Sequence, residues 1–187
     1  MTTIYFVRHA RTDYTVKDEV NRPLTYEGRE SALRIKEFFS EIEIDAIYSS
    51  PYKRTVDTIK PYAESVCKEI KLVNDLRERE IGCWVEDFDE FSYNQWHDFN
   101  YKLSKGESLQ EVQDRNILKI NSILRLHSNK SIAISTHGTA LASILNYYDE
   151  SFLYEGFQSI RHKMPLIMIA QFRDDNLIDL KEVRQSF

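Results

Sequence analysis

Two adjacent side chains near the start of the sequence have the chemistry to act on phosphate esters. Arg8 and His9 directly follow the apolar residues 4–7 in "IYFVRHART", with no turn signal between them. The apolar run predicts a short buried strand. Arginine presents a planar set of donors that suits phosphate oxygens, and a neutral imidazole can attack phosphorus.

Two later segments also place a polar side chain after a predicted strand. "DAIYSS" (45–50) predicts a strand, and Arg54 follows it by about one helical turn. "SIAISTHG" (131–138) predicts another strand, ending at His137 beside Gly138. Strands that alternate with helices indicate a layered α/β sheet with parallel pairing, which binds ligands at the carboxyl ends of its strands. We therefore expect the two histidines and two arginines to meet at one sheet edge as an anion site.

Phosphoryl transfer also needs a proton donor for the leaving oxygen. The stretch "NDLRERE" offers three carboxylates, Asp75, Glu78 and Glu80. The residues alone leave open which of the three serves.

The other elements follow from hydrophobic spacing and capping residues. Thr25 is a predicted helix N-cap, and Pro51 suits the first turn of a second helix that runs to about Cys67. Apolar spacing predicts helices within 107–128 and after Gly138. The sequence also predicts a strand at 70–73 and a pair of strands around the turn signal "RDDN".

The chain length and the distribution of residue types along it predict a single domain, residues 1–187, with one insertion. Residues 82–106 are rich in aromatic and acidic side chains without a clear period, and we interpret them as a partly helical flap. Its aromatic residues pack as a small core of their own or contact the substrate. Its acids would repel a second phosphate group, which favours a substrate with a neutral or apolar body.

Composition limits the partners and the compartment. The formal net charge is −5, which argues against nucleic acid and against an anionic membrane surface. No apolar stretch approaches the ~20 residues of a membrane span, and the N-terminus does not read as a signal peptide. Two cysteines, Cys67 and Cys83, form neither a disulfide framework nor a metal cluster, so we expect a cytoplasmic protein.

Six segments, in order over roughly residues 3–145, together resemble the histidine phosphatase superfamily, the phosphoglycerate mutase-like group. They are "VRHARTD", "RPLTYEGRESA", "DAIYSSPYKRTVDT", "LRERE-IGCW", "KGESLQEVQDR" and "ISTHGTAL". The resemblance implies a three-layer α/β/α sandwich with a mostly parallel central sheet. It also implies an enzyme that needs no metal or other cofactor, because side chains supply the positive charge.

Carried over residue by residue, the resemblance implies specific roles. His9 is the expected nucleophile, forming a phosphohistidine, and Glu78 the expected general acid and base. Arg8, Arg54 and His137 are expected to hold the phosphoryl oxygens. The expected substrate-binding residues are Arg8, Arg11, Thr15, Arg54, His137 and Gly138.

Three positions depart from the family pattern. Ala10 replaces the usual glycine after the first histidine, which a negative φ would allow. Arg11 replaces an acid or amide and adds a cation near the pocket mouth. Thr15 replaces an asparagine that helps mutase members bind substrate, so the mutase interpretation loses support.

The expected function is hydrolysis of a small phosphorylated metabolite, a histidine acid phosphatase-type phosphomonoesterase reaction. A cofactor-dependent phosphoglycerate mutase and a non-catalytic phospho-ligand-binding protein are the alternatives. The sequence names neither the substrate nor the oligomeric state. It also leaves open whether the flap contacts substrate and whether Arg161, His162 and Lys163 lean over the pocket.

Overall fold

The computed structural model describes residues 1–184 and 187. Its centre is a six-stranded sheet in the order β3-β2-β4-β1-β5-β6. The strands are β1 (Thr2–Arg8), β2 (Ala46–Ser49), β3 (Ile70–Leu72), β4 (Ser131–Thr136), β5 (Leu166–Arg173) and β6 (Asn176–Glu182). β1 to β4 pair in parallel, and β5 and β6 add an antiparallel pair at one side. The predicted mostly parallel sheet is confirmed.

Helices connect the parallel strands and cover both faces of the sheet. They are α1 (Tyr26–Phe39), α2 (Lys53–Ser65), α3 (Phe88–His97), α4 (Leu109–Leu126), α5 (Gly138–Tyr148) and α6 (Tyr154–Ile160). Thr25 caps α1 as predicted, accepting a hydrogen bond from the Gly28 N–H. α2 begins two residues after Pro51, with Tyr52 as its N-cap, so Pro51 lies outside the helix. The short helix α6 had no predicted counterpart.

The core lies in two layers because successive side chains of a strand point to opposite faces. Ile4 and Phe6 of β1 join a cluster with apolar residues of α4, α5 and α6. Val7 joins a second cluster with residues of α1 and α2, including Ile35 and Ile59. Both faces of the central strands are therefore buried, which is why they read as continuous apolar runs.

The segment 82–106 contains α3, which begins after the N-cap Asp87 and packs against α6. Trp96 of α3 is buried, with its ring stacked on Phe157 of α6 at a centroid distance of 5.5 Å. Trp84, by contrast, is exposed. The aromatic residues of this segment thus divide between a small core and the surface.

Within the part of the chain that the structure describes, no helix is both long and apolar enough to cross a membrane.

Candidate active site

The carboxyl ends of three adjacent parallel strands carry the polar residues to one edge of the sheet. The His9 N–H, one residue beyond β1, donates to the carbonyl of Thr136 at the end of β4, at 3.1 Å. The Ser50 N–H, one residue beyond β2, donates to the Ser135 carbonyl at 3.0 Å. Sheet pairing therefore continues just past the strand ends and brings their first polar residues together.

His9 is a buried imidazole with a defined tautomer. Its Nδ1 lies 2.8 Å from the Ala10 carbonyl oxygen, which can only accept, so Nδ1 carries the proton and Nε2 keeps its lone pair. Burial, reinforced by the nearby Arg54 cation, lowers the pKa of His9 well below the ordinary imidazole value. The side chain is therefore neutral at neutral pH, with a nucleophilic nitrogen available. Ala10, whose φ is not positive, fits without the family's glycine.

His137 lies behind His9, completely buried, with the two ring centroids 5.4 Å apart. Its Nε2 is 2.7 Å from the Ser50 hydroxyl, which fixes the orientation of the ring. Burial, followed by the charge of Arg54, lowers the pKa of His137 well below its usual value. Its Nδ1 has no hydrogen-bond partner among the described residues, so one polar atom of this ring remains for a ligand or a water.

Arg8 is buried and tied to the loop after α6. Its Nη1 donates to the carbonyls of Ile160 at 2.7 Å and Lys163 at 3.1 Å. Gly138 packs against the same guanidinium, and a Cβ at this position would come within 2.8 Å of an Arg8 nitrogen. A side chain at position 138 would therefore displace the Arg8 guanidinium from its present position.

Arg54, near the start of α2, supplies a second cation. Its Nη1 donates to the Glu19 carbonyl at 2.5 Å, and its guanidinium lies 4.9 Å from the centre of the Tyr52 ring. Burial lowers the pKa of both Arg8 and Arg54, although arginine stays charged at neutral pH. Neither guanidinium has a carboxylate at ion-pair distance among the described residues. Two cations without a direct carboxylate partner therefore lie near His9, and the Glu78 carboxylate stabilises the charge of both.

Glu78 is the acidic residue of "NDLRERE" that reaches the site. Its carboxylate accepts from the backbone N–H groups of Thr139 and Ala140, both at 3.0 Å, in the first turn of α5. It also lines the cavity that contains Arg8 and His9, whereas Asp75 and Glu80 do not. The position of the carboxylate thus favours Glu78 among the three candidates.

The segment that carries Glu78 is held by an ion pair from α4. Arg115 binds both carboxylate oxygens of Glu107 at 2.9 Å, and the same guanidinium donates to the carbonyls of Asp75, Arg77 and Glu78. Burial opposes ionisation of Glu107, but the hydrogen bonds from Arg115 prevail and lower its pKa. Glu107 of the "GES" segment therefore helps to hold the backbone that carries Glu78, although Glu107 itself does not line the cavity.

The cavity above these residues has a volume of about 440 Å³. Five arginines line it against two carboxylates, so its wall is cationic although the whole chain is acidic. The charged lining residues are Arg8, Arg22, Arg54, Arg79, Arg161, Glu19 and Glu78. A wider groove of about 610 Å³ lies between α1 and α2, but its lining includes no histidine, cysteine or arginine cluster.

The structure does not bring every expected substrate-binding residue to the cavity. Arg11, Thr15 and His137 are not among its lining residues: Arg11 and Thr15 are exposed, and His137 is completely buried. The Thr15 hydroxyl donates instead to Asp13 at 2.6 Å. Arg161 and His162 do line it, while Lys163 pairs with Glu182. The loop after α6 thus leans over the site, where the sequence had left its position open.

Several residues of the site carried no sequence signal of their own. Thr58 accepts from the Ala10 N–H at 2.9 Å, and Ser50 contacts His137. Arg79 is buried in the cavity wall, where its Nη1 donates to Gln95 at 2.5 Å and its Nε has no partner among the described residues. Polar residues on helices and loops usually face solvent, so only the spacing within "SSPYKRTVDT" could have indicated Ser50 and Thr58.

Comparison with known proteins places this geometry in a family. A protein-family model, the histidine phosphatase superfamily (branch 1), matches residues 4–181. A metal-independent phosphoserine phosphatase of Arabidopsis thaliana is 28% identical over 160 residues, covering 77% of this chain and 67% of that protein. A probable phosphoglycerate mutase of Shigella dysenteriae is 26% identical over 160 residues, covering 78% of this chain and 74% of that protein.

A solved structure has the same fold. It is an Entamoeba histolytica phosphoserine phosphatase variant in complex with phosphoserine, which matches with a TM-score of 0.78 at 20% identity, covering 95% of this chain and 94% of that one. The matched family model spans nearly the whole chain. The chain belongs to the histidine phosphatase superfamily, branch 1.

Proposed function

We propose that this protein is a phosphomonoesterase that hydrolyses a small phosphorylated metabolite through a phosphohistidine on His9. The observation that carries the proposal is the His9 tautomer: Nδ1–H donates to the Ala10 carbonyl, which leaves the Nε2 lone pair free. A buried neutral imidazole near two arginines that have no direct carboxylate partner can attack a phosphate dianion that those arginines bind.

In the first step, His9 Nε2 donates its lone pair to phosphorus, and the ester P–O bond breaks. The electron pair of that bond moves to the leaving oxygen, which takes a proton from the Glu78 carboxyl group. Arg8 and Arg54 stabilise the negative charge on the three phosphoryl oxygens during the transfer. His137, whose ring centroid lies 5.4 Å from that of His9, is the proposed third ligand of the phosphoryl oxygens.

In the second step, water attacks the phosphohistidine and gives a proton to the Glu78 carboxylate. The P–N bond breaks, its electron pair returns to Nε2, and inorganic phosphate leaves. The cycle restores both His9 and Glu78 to their starting protonation states.

The alternative enzyme is a phosphoglycerate mutase, which would return the phosphoryl group to the product instead of water. Some relatives carry that name. The position at which mutase members carry a substrate-binding asparagine is Thr15 in this chain, and Thr15 is exposed and does not line the cavity. Hydrolysis is therefore the better-supported reaction. Release of phosphate from 3-phosphoglycerate, with no 2-phosphoglycerate formed, would distinguish the two.

The test of the main proposal is hydrolysis of an aryl phosphate in excess chelator. Wild-type protein should release phosphate, and His9→Ala should not. His97→Ala is the matched control, because His97 is exposed on α3 and does not line the cavity. Equal turnover by His9→Ala and the wild type would refute the proposal. A protein that only holds phosphorylated ligands would form no acid-labile phosphoenzyme after mixing with substrate.

A further inference from the structure

We propose that Arg161, on the loop after α6, is a specificity-determining residue that binds a second anionic group of the substrate. The inference rests on the proposed phosphatase function and narrows its substrate class. The class is phosphomonoesters that carry a further anion, a carboxylate or a second phosphate, beyond the transferred phosphoryl group.

The loop that carries Arg161 is built onto the phosphoryl-binding end of the cavity. Arg8 donates to the carbonyls of Ile160 and Lys163, the residues before and after the Arg161–His162 pair. Arg161 and His162 therefore stand at a fixed position relative to Arg8, and both line its cavity. A substrate whose phosphoryl group lies on Arg8 extends into space that Arg161 borders.

The Arg161 guanidinium is supported by an aromatic side chain. It lies 5.1 Å from the centre of the Phe88 ring, and Phe88 itself lines the cavity. The Arg79 guanidinium lies 5.5 Å from the centre of the same ring. One ring thus supports two cations in the cavity wall, and such stacking leaves the edge donors of a guanidinium free to bind an anion.

Charge balance indicates that this wall is built for an anion. A phosphoryl dianion would occupy Arg8 and Arg54. The three further arginines, Arg22, Arg79 and Arg161, still outnumber the two lining carboxylates, Glu19 and Glu78. The acidic residues of the flap, which would favour a neutral substrate body, do not line the cavity. Arginines of the cavity wall, and not the acids of the flap, border the space beside the phosphoryl-binding residues.

Arg161 already has a competing anion. Its Nη1 pairs with the Asp89 carboxylate of α3, whose side chain is 67% exposed. Exposed ion pairs are weak, because water solvates the carboxylate almost as well as the arginine does. A substrate anion inside the cavity can therefore take the place of Asp89, and removing Asp89 should favour the substrate.

The experiment uses two ligands that differ by one carboxylate, phosphoserine and phosphoethanolamine, as competitive inhibitors of aryl phosphate hydrolysis. A third comparison, propane-1,3-diol bisphosphate against propyl phosphate, asks whether a second phosphate substitutes for the carboxylate. The proteins are the wild type, Arg161→Gln and Asp89→Asn.

Arg161→Gln should weaken phosphoserine binding on the order of tenfold and weaken phosphoethanolamine binding much less, because only phosphoserine has the second anion. Asp89→Asn should have the opposite effect and strengthen phosphoserine binding by about two- to fivefold, because it frees the guanidinium. The comparison of propane-1,3-diol bisphosphate with propyl phosphate shows whether Arg161 binds a second phosphate as well as it binds a carboxylate.

Opposite signs in the two variants separate ligand binding from a structural role. Both substitutions break the same ion pair, so a contact that only held α3 against α6 would make them behave alike, and this outcome overturns the inference. Equal inhibition of the wild type by phosphoserine and phosphoethanolamine overturns it as well, while leaving the aryl phosphatase activity intact. Loss of aryl phosphate hydrolysis by the wild type would instead refute the proposed function itself.

Discussion

The carboxylate of Glu78 accepts a hydrogen bond of 3.0 Å from the backbone N–H of Thr139, and so it caps helix α5 from another part of the chain. A second N–H of that turn, from Ala140, binds the other carboxylate oxygen. The helix begins directly after His137, so this contact also fixes the distance between the proposed acid and the second histidine. One side chain thus serves both the helix and the cavity.

The double role of Glu78 predicts two separable effects of Glu78→Gln. The amide cannot donate a carboxyl proton, so kcat should fall by about 10²- to 10⁴-fold. The amide nitrogen also cannot accept from a helix N–H, which should cost about 1–2 kcal/mol of unfolding free energy. Glu80→Gln, exposed and off the cavity, should leave both kcat and the urea midpoint unchanged. Full activity of Glu78→Gln would exclude Glu78 as the proton donor.

Gly138→Ala should displace the Arg8 guanidinium, because the added methyl group would lie within 3 Å of it. Misplacement of a phosphate-binding group by about 1 Å can lower the rate on the order of 10²-fold, so kcat/KM should fall by that amount. Gly156→Ala is the matched control, since its methyl would meet the Phe152 ring away from the cavity. It should lower Tm without changing kcat/KM of the folded protein, and similar kinetic losses in both would contradict the assignment.

Stability should fall as the pH drops below about 6.5, because the folded protein holds His9 and His137 neutral. In the folded protein the pKa values of both histidines lie below the ordinary imidazole value. At a pH below that ordinary value the unfolded chain therefore binds more protons than the native state, which lowers the free energy of the unfolded state and reduces the free energy of unfolding. Above about pH 6.5 the two histidines cause no such loss of stability. Thermal unfolding between pH 7.5 and 5 should therefore show a Tm that decreases with acidity.

A pair of variants assigns this pH dependence. His137→Gln removes one titrating group and should reduce the slope of stability against pH. Ser50→Ala removes the hydroxyl that contacts His137 but leaves both imidazoles buried, so its slope should match the wild type. An unchanged slope in His137→Gln would show that His137 does not contribute.

Arg115→Lys tests whether the Glu107–Arg115 pair positions Glu78. Lysine keeps the charge but cannot bind both oxygens of Glu107 and three backbone carbonyls at once. We expect kcat for an aryl phosphate to fall about tenfold with little change in KM, since the arginines proposed to bind phosphate are untouched. Arg125→Lys, exposed on the same helix, is the control. A change confined to Tm would indicate a purely structural role.

The sequence alone predicted the sheet and the residues at its edge for a simple reason. Apolar runs that end in Arg8-His9, "SS" and His137 are local patterns, and parallel pairing forces their carboxyl ends together. The helix α6 was missed because it is short, and its burial depends on Trp96 of α3, a contact distant in sequence.

The rest of the cavity wall could not be predicted because its residues are defined by tertiary contacts. Arg79 and Arg161 are far apart in the sequence, and in the folded protein the guanidinium groups of both lie against the ring of Phe88. Conversely, Arg11 follows the catalytic motif directly, yet its side chain is exposed and away from the cavity. The position of Arg11 next to the motif in the sequence therefore did not predict whether its side chain lines the cavity.

Arg8 holds the loop after α6 through the main-chain carbonyls of Ile160 and Lys163, and every amino acid supplies such a carbonyl. The anchor therefore places no demand on the side chains at positions 161 and 162. Descendants of this protein could exchange both side chains and acquire new substrates while the loop stayed attached to Arg8, the proposed phosphate ligand. Because the loop is attached through backbone atoms, its position does not depend on the side chains at positions 161 and 162.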